Sequence, residues 1–175
     1  MSNLTPFILF ILGVAFYNIQ TRQTEIIKFK VGLLIEVFNL VGKLRDMCST
    51  IAFPLTVGGD HREEIMGGLA EVQNSLQAKV NQMVLIDKNI YSEAEKVLKA
   101  SRLMVSYYIL HKGLMLKSGG AEMADREKYY NQWTELCPAI IESSYGKIVI
   151  LVGNYLEETT FSYYTKKIKG FFKTK

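Results

Sequence analysis

The sequence predicts an all-α protein in which an N-terminal membrane helix is followed by a bundle of about four to five helices. Apolar side chains recur at steps of three and four residues through most of the chain, which is the period of an amphipathic helix. Prolines occur only at positions 6, 54 and 138, so long uninterrupted helices are permitted. The third observation is an opening segment, Met1 to Thr21, that carries no charged side chain.

Residues 1–21 are predicted to be a membrane anchor. Leu4–Ile19 is almost wholly apolar, and the charged residues Arg22, Glu25 and Lys28 follow at once. These 16 residues would span about 24 Å as a helix, which is short against a hydrocarbon core of about 30 Å, but uncharged flanks extend the segment. The residues predicted to face lipid are Leu4, Phe7, Ile8, Phe10, Ile11, Leu12 and Phe16.

Two alternatives to an anchor stay open for this segment. A signal peptide would begin with basic side chains, and none precedes the apolar stretch here. A buried helix of a soluble domain is the other alternative, because apolar segments of this length are ambiguous. For an anchor, the basic residues Arg22, Lys28 and Lys30 predict a single-pass protein whose body lies on the cytoplasmic side, or on the matrix side of an organelle.

The body, residues 22–158, is predicted to be a helical bundle. Between Ile26 and Ile51 two adjacent apolar rows make a wide stripe, which is typical of a helix covered by several others. No helix-breaking residue separates this stretch from the anchor, so the two are expected to be continuous. Pro54 and Gly58-Gly59 are expected to end the helix.

The next stretch carries the most regular apolar row, which predicts an interaction seam along one helix. Asp60 and Glu63 have the spacing of a capping box, and the helix that they open is expected to run through Ile90. Steps of four and three residues are typical of a helix that packs against another helix, although Lys79 occupies one expected apolar position. The seam consists of Ile65, Leu69, Val72, Leu76, Met83, Ile86 and Ile90.

Three further helices complete the predicted body. Ser92 and Glu95 form a second possible capping box, and Gly119-Gly120 is expected to end the helix that follows. A short polar helix is predicted over residues 122–136, and Pro138 is expected to start a separate last helix.

The C-terminal segment, residues 159–175, is predicted to be a basic amphipathic tail. It contains five lysines and no acid, whereas the other 158 residues carry a net charge of −1. Such a segment can lie on an anionic membrane surface, while a solvated terminus and a nucleic-acid contact are the alternatives. The residues expected to meet the surface are Lys166, Lys167, Lys169, Phe171, Phe172 and Lys173.

No catalytic, cofactor or metal motif is found in the sequence. His61 and His111 fall on different predicted helices, and neither an HExxH nor a GK[ST] pattern occurs. Cys48 and Cys137 lie 89 positions apart without a CxxC spacing, which favours a reducing compartment over a disulfide framework. The sequence therefore predicts a protein that is not an enzyme and holds no cofactor.

Two functions are compatible with these features. The first is a membrane-tethered subunit or adaptor that binds protein partners within a larger membrane assembly. The second is a membrane-active effector or sensor that uses the anchor and the basic tail. The predicted partners are membrane lipids and proteins but not nucleic acid, and a homo-oligomer stays open.

Overall fold

The computed structural model describes the backbone of residues 5–53, 62–115 and 123–172, and the side chains of residues 12–53, 62–115 and 123–159. Every regular element in these ranges is helical, which confirms the predicted all-α class. The elements are α1 (Thr5–Ala52), α2 (Arg62–Met83), α3 (Lys88–Met115), α4 (Met123–Asn131), a π-helical turn (Gln132–Leu136) and α5 (Cys137–Phe172).

Four long helices, α1, α2, α3 and α5, pack side by side, each antiparallel to its two neighbours. The order around the bundle is α1, α2, α3, α5, and α5 closes the ring against α1. Two contacts fix the direction of each pair of neighbours. They are Arg62 with Ile51 and Lys79 with Glu36 for α1 and α2, and Glu63 with Lys112 and Gln73 with Ser101 for α2 and α3. For α3 and the chain from the π-helical turn into α5 they are Glu93 with Lys147 and Tyr108 with Trp133, and for α1 and α5 they are Arg45 with Glu142 and Phe38 with Tyr145.

The core lies between these four helices and is almost entirely apolar. Its buried polar side chains include Gln73 and Ser101, which satisfy each other: Gln73 Nε2 donates to Ser101 Oγ at 3.1 Å, and that hydroxyl donates to the Leu98 carbonyl at 2.9 Å. Burying hydrogen-bonded groups avoids the penalty of an unpaired one, about 1–3 kcal/mol. The fully buried residues include Leu34, Val37, Val41, Leu44, Leu76, Val80, Met83, Ile90, Ala94, Val97, Met104 and Ile148.

The predicted single helix through Ile90 is wrong, because the chain turns between α2 and α3. α2 ends at Met83, and Leu85 and Ile86 make turn bonds back to Gln82 and Met83. The Asp87 carboxylate then accepts hydrogen bonds from the backbone N–H groups of residues 89 and 90, at 2.8 and 3.0 Å. α3 therefore starts at Lys88, and its N-cap, Asp87, lies five residues before the predicted N-cap Ser92. For the first predicted capping box, Asp60 lies outside the described residues.

The predicted break before Pro138 is also absent, because a π-helical turn carries α4 into α5. The N–H of Cys137 bonds to the carbonyl of Gln132, five residues back. Proline has no N–H and its ring clashes with the carbonyl four residues earlier in an α-helix, so the wider turn accommodates Pro138 without ending the helix. α5 then continues without interruption to Phe172.

Candidate membrane-facing and partner-facing surfaces

The first part of α1 projects from the bundle and is exposed on all its faces. Every side chain from Leu12 to Phe29 is exposed except that of Thr24, which is half-buried, and the first buried residue is Leu33. Leu12, Phe16 and Phe29 expose 59%, 68% and 63% of their surfaces. A helix of 18 residues is about 27 Å long, so this exposed segment, which is apolar before Arg22 and carries charges after it, stands well clear of the core.

This arrangement bears directly on the alternatives for the N-terminal segment. Leu12 and Phe16, two of the predicted lipid-facing residues, are not buried in the body of the chain, which argues against a core helix of a soluble domain. The side chains of the other five, Leu4, Phe7, Ile8, Phe10 and Ile11, lie outside the described residues. The backbone is nevertheless helical from Thr5 to Ala52, so the N-terminal segment and the first body helix are continuous, as predicted.

The C-terminal part of α5 leaves the bundle at the same end as the first part of α1. The two helices are antiparallel neighbours: Arg45 pairs with Glu142 at 3.1 Å, and the rings of Phe38 and Tyr145 stack 5.8 Å apart. The turn between α2 and α3, with Leu85 86% exposed, lies at that end too. We call this end of the bundle the projecting end. The backbone of the predicted tail is helical to Phe172, whereas the side chains of Lys166, Lys167, Lys169, Phe171, Phe172 and Lys173 lie outside the described residues.

The predicted interaction seam lies inside the chain. Leu69, Val72, Leu76, Met83 and Ile90 are buried, and Ile65 and Ile86 are half-buried against the same core. α1 and α3 cover α2, so the helices against which this row packs belong to the chain itself. A partner would have to bind elsewhere on the surface.

The helix that meets the length and hydropathy requirement for a membrane span lies at Met123–Thr159, and not at the N-terminus where the sequence predicted it. This statement holds for the described residues, and it rests only on the length and the amino-acid composition of the helix. Ile141, Ser144, Ile148 and Val152 on its inner face are buried in the bundle. A bundle helix with an apolar inner face satisfies the same criterion, and α5 alone, with 36 residues, is long enough.

A cluster of aromatic and cationic side chains occupies the opposite end of the bundle, which we call the aromatic end. Trp133, from the π-helical turn, is 3% exposed and meets the edge of Tyr108 at a centroid distance of 5.2 Å. The Arg62 guanidinium lies 5.4 Å from the centre of the Trp133 ring. Trp133 Nε1 is buried and has no hydrogen-bond partner among the described residues. Sequence reasoning missed this cluster because its members come from three distant segments.

His111 belongs to this cluster, and its surroundings disfavour the protonated, cationic form of its ring. Its ring lies 5.5 Å from that of Tyr130 and 6.0 Å from that of Trp133. Burial, with a smaller contribution from the charge of Arg126, holds the pKa of His111 below its ordinary value of 6.5. The unfolded chain therefore binds a proton more readily than the folded chain does, and folding stability should fall as the pH drops through about 6.5.

We expect the melting temperature of the full-length protein to decrease between pH 7.5 and pH 5, and part of that decrease to come from His111. The His111→Gln side chain cannot be protonated in this range, so the melting temperature of this variant should fall less on acidification than that of the wild type. Thermal melts of the two proteins at both pH values measure the difference. His61→Gln serves as the matched control, and an equal effect of both substitutions would contradict the assignment to His111.

The Glu93 carboxylate links α3 to α5 toward the projecting end of the bundle. The side chain of Glu93 is 12% exposed and lies 2.6 Å from Lys96 Nζ and 4.0 Å from Lys147 Nζ. Its pKa is lowered from the ordinary value: burial would raise it, but hydrogen bonds from Lys96 and Ser144 and the charges of both lysines outweigh burial. Glu93 is thus held as an anion beside Lys96 and Lys147.

The described residues contain no group of three His, Cys, Asp or Glu side chains that could hold a metal ion. Cys48 and Cys137 are both buried free thiols. Burial, and to a lesser extent the proximity of Cys137, raises the pKa of Cys48 to about 12, so its reactive thiolate is scarce at neutral pH.

Comparison with known protein families, characterised proteins and solved structures finds no match to this chain. The geometry of the chain is therefore the basis for its proposed function.

Proposed function

We propose that the protein is a non-enzymatic, membrane-tethered helical subunit or adaptor that acts through protein–protein contacts in a larger membrane assembly. The observation that carries the proposal is the projecting part of α1, which exposes Leu12, Val14, Phe16 and Ile19 by 45% or more. Soluble monomers rarely leave large contiguous apolar surfaces in water. Full burial of each such side chain is favourable by about 1.5–3 kcal/mol of free energy.

A bilayer is the environment that suits this segment best. The exposed residues encircle the helix, whereas a docking site for a single protein partner would need only one apolar face. In the sequence, the apolar character continues from residue 12 back to Leu4, in a backbone that is helical from Thr5. Charged residues begin at Arg22, where the chain would enter the aqueous phase.

α5 is less suited to cross the membrane in spite of its hydropathy. Its inner face supplies core residues that α1 and α3 cover, and insertion would require the bundle to open. Glu142 and Lys147 lie within the apolar stretch, and each charge at the centre of a bilayer costs about 2.5–3.5 kcal/mol on insertion scales. Both are paired with groups on neighbouring helices of the bundle.

The proposed tether also gives the tail a role at the membrane surface. Because α5 is antiparallel to α1, its last residues run toward the same membrane as the anchor, and residues 159–175 would have to bend away from the α5 axis to lie on the membrane surface. The basic flank Arg22, Lys28 and Lys30 favours the cytoplasmic or matrix side for the body, and the anionic lipids of that leaflet attract lysines. Each lysine near such a surface contributes about 1 kcal/mol.

A tail peptide covering Thr159–Lys175 should bind vesicles that contain anionic lipid, gain helicity on binding, and dissociate as salt screens the attraction. Replacing both Phe171 and Phe172 with Ala should weaken binding even at low salt, because the apolar contribution is lost. Sedimentation with vesicles and circular dichroism measure the two effects. Equal affinity for neutral vesicles would mean that the lysines only solubilise the terminus.

The second candidate function, a membrane-active effector or sensor, is favoured by the position of anchor and tail at one end of the bundle. Native mass spectrometry of the full-length protein, extracted in mild detergent from its own membranes, separates the two functions. The adaptor proposal predicts a stoichiometric complex that contains at least one different protein. A homo-oligomer that contains no other protein and changes its assembly with lipid composition would contradict the adaptor and favour the sensor.

A further inference from the structure

The outer face of α5 is an unpartnered helix face with an apolar surface. Ser143, Gly146, Ile150 and Gly153 follow steps of three, four and three residues and are all exposed, opposite the buried row. Ile140, Val149 and Ile150 are 48%, 43% and 64% exposed. A Cβ atom added at Gly146 or Gly153 would meet nothing within 4 Å, so a second backbone could approach closely at both positions.

The two charges beside this face between residues 140 and 153 lie on opposite flanks, and Glu157 follows at the next position of the row itself. Glu142 lies on the flank next to α1, where it pairs with Arg45 at 3.1 Å. Lys147 lies on the flank next to α3, 4.0 Å from Glu93. Both keep more than half of their side chains exposed, at 65% and 57%, so each can accept a further partner.

The spacing of these two charges fits a second copy in one orientation. If Ser143, Gly146, Ile150 and Gly153 take the a and d positions of a heptad, Glu142 is a g residue and Lys147 is the next e residue. In a parallel pair of helices the g flank of one meets the e flank of the other, which brings Glu142 opposite Lys147 twice. In an antiparallel pair, like flanks meet, and neither charge gains an opposite one.

We propose that this face of α5 binds the same face of a second copy of the chain in a parallel, two-fold symmetric dimer. The orientation rests in part on the membrane tether proposed above, because only a parallel pair places both projecting ends at one membrane. The small residues bring the two helices close, Ile150 on the face and Ile140 and Val149 on its two flanks supply the apolar contact, and the Glu142–Lys147 pairs select the partner and its direction.

Cysteine cross-linking of the full-length protein in membranes tests the dimer and its direction together. Ser143→Cys and Gly153→Cys should each form disulfide-linked dimers rapidly under mild oxidation, because equivalent residues face each other in a parallel pair. Ala78→Cys, exposed on α2, is the matched control, and the native cysteines are buried. Linking no faster than the Ala78→Cys control would overturn the proposal, and would leave lipid or a different protein as the occupant of the face.

Mixing the two variants distinguishes the directions. An antiparallel pair would link position 143 to position 153 across the interface, and either variant alone would link poorly. Dominant mixed dimers would therefore overturn the parallel arrangement. Carbonate extraction of the same samples tests the tether independently, so loss of cross-linking in protein that stays with the membrane counts against the dimer alone.

A charge-reversal experiment tests the selecting pairs. Glu142→Lys leaves lysines on both flanks and Lys147→Glu leaves glutamates on both, so each variant alone should dimerise roughly ten-fold more weakly or worse. An equal mixture should recover heterodimers with nearly wild-type affinity, since opposite charges meet again. Two variants that dimerise like the wild type, or a mixture that recovers nothing, would contradict the role of these residues.

Discussion

Leu76→Asp is expected to unfold the bundle. Leu76 is fully buried in α2, at the centre of the core formed by the four long helices. Truncating a buried leucine costs about 2–5 kcal/mol, and burying a carboxylate without a partner adds several more. Because a domain of this kind is stable by about 5–15 kcal/mol, we expect a large loss of helical circular dichroism at 25 °C.

Ala78→Asp is the matched control for this substitution. Residue 78 lies on the same helix only two positions away, but it faces solvent. The control variant should melt within a few degrees of the wild type, since surface substitutions usually change stability by about 0.5 kcal/mol or less. If Leu76→Asp melted like Ala78→Asp, the antiparallel packing of α2 within the bundle would be wrong.

Deleting residues 1–21 is expected to release the protein from the membrane in a folded form. Among the described side chains, those from Leu12 to Thr21 are exposed and the core begins at Leu33, so the deletion removes none of the core residues. The truncated chain should appear in the soluble fraction after lysis, with a melting temperature close to that of the full-length protein. Sedimentation and circular dichroism check both statements.

A chain lacking residues 1–21 that still resisted carbonate extraction would contradict the N-terminal tether. It would point instead to α5, the helix whose length and hydropathy allow it to cross a membrane. A second truncation that removes only residues 159–175 is the control, because it removes the tail and keeps the anchor. That variant should remain with the membrane.

The helical class could be predicted from the sequence because apolar periodicity is a local property. The row through Leu69, Val72 and Leu76 is buried as a period of 3.6 residues requires. The same periodicity could not reveal the break at Met83, because Ile86 and Ile90 keep the spacing while the chain reverses direction. The break depends on the Asp87 cap, and Ser92 offered a competing signal of equal strength in the sequence.

What covers an apolar row could not be predicted either. The sequence left open whether the seam packs against a helix of the chain or of a partner, and the structure covers it with α1 and α3, because burial depends on contacts between distant segments. The cluster around Trp133 arises in the same way: Arg62 and Tyr108 come from α2 and α3. The continuity of α4 and α5 through a π-helical turn was missed because Pro138 ordinarily marks a helix start or end.

Water accessibility of residue 16 in liposomes tests the central claim most directly, because it asks whether lipid covers the projecting helix. Phe16→Cys and Leu85→Cys would be made in full-length protein, purified and reconstituted without any partner, and reacted with a water-soluble maleimide. Both positions are exposed in the protein itself, at 68% and 86%. The membrane-tether account predicts that Leu85→Cys reacts rapidly and that Phe16→Cys is protected until detergent dissolves the bilayer. Equal rates of labelling at the two positions in intact liposomes would contradict it.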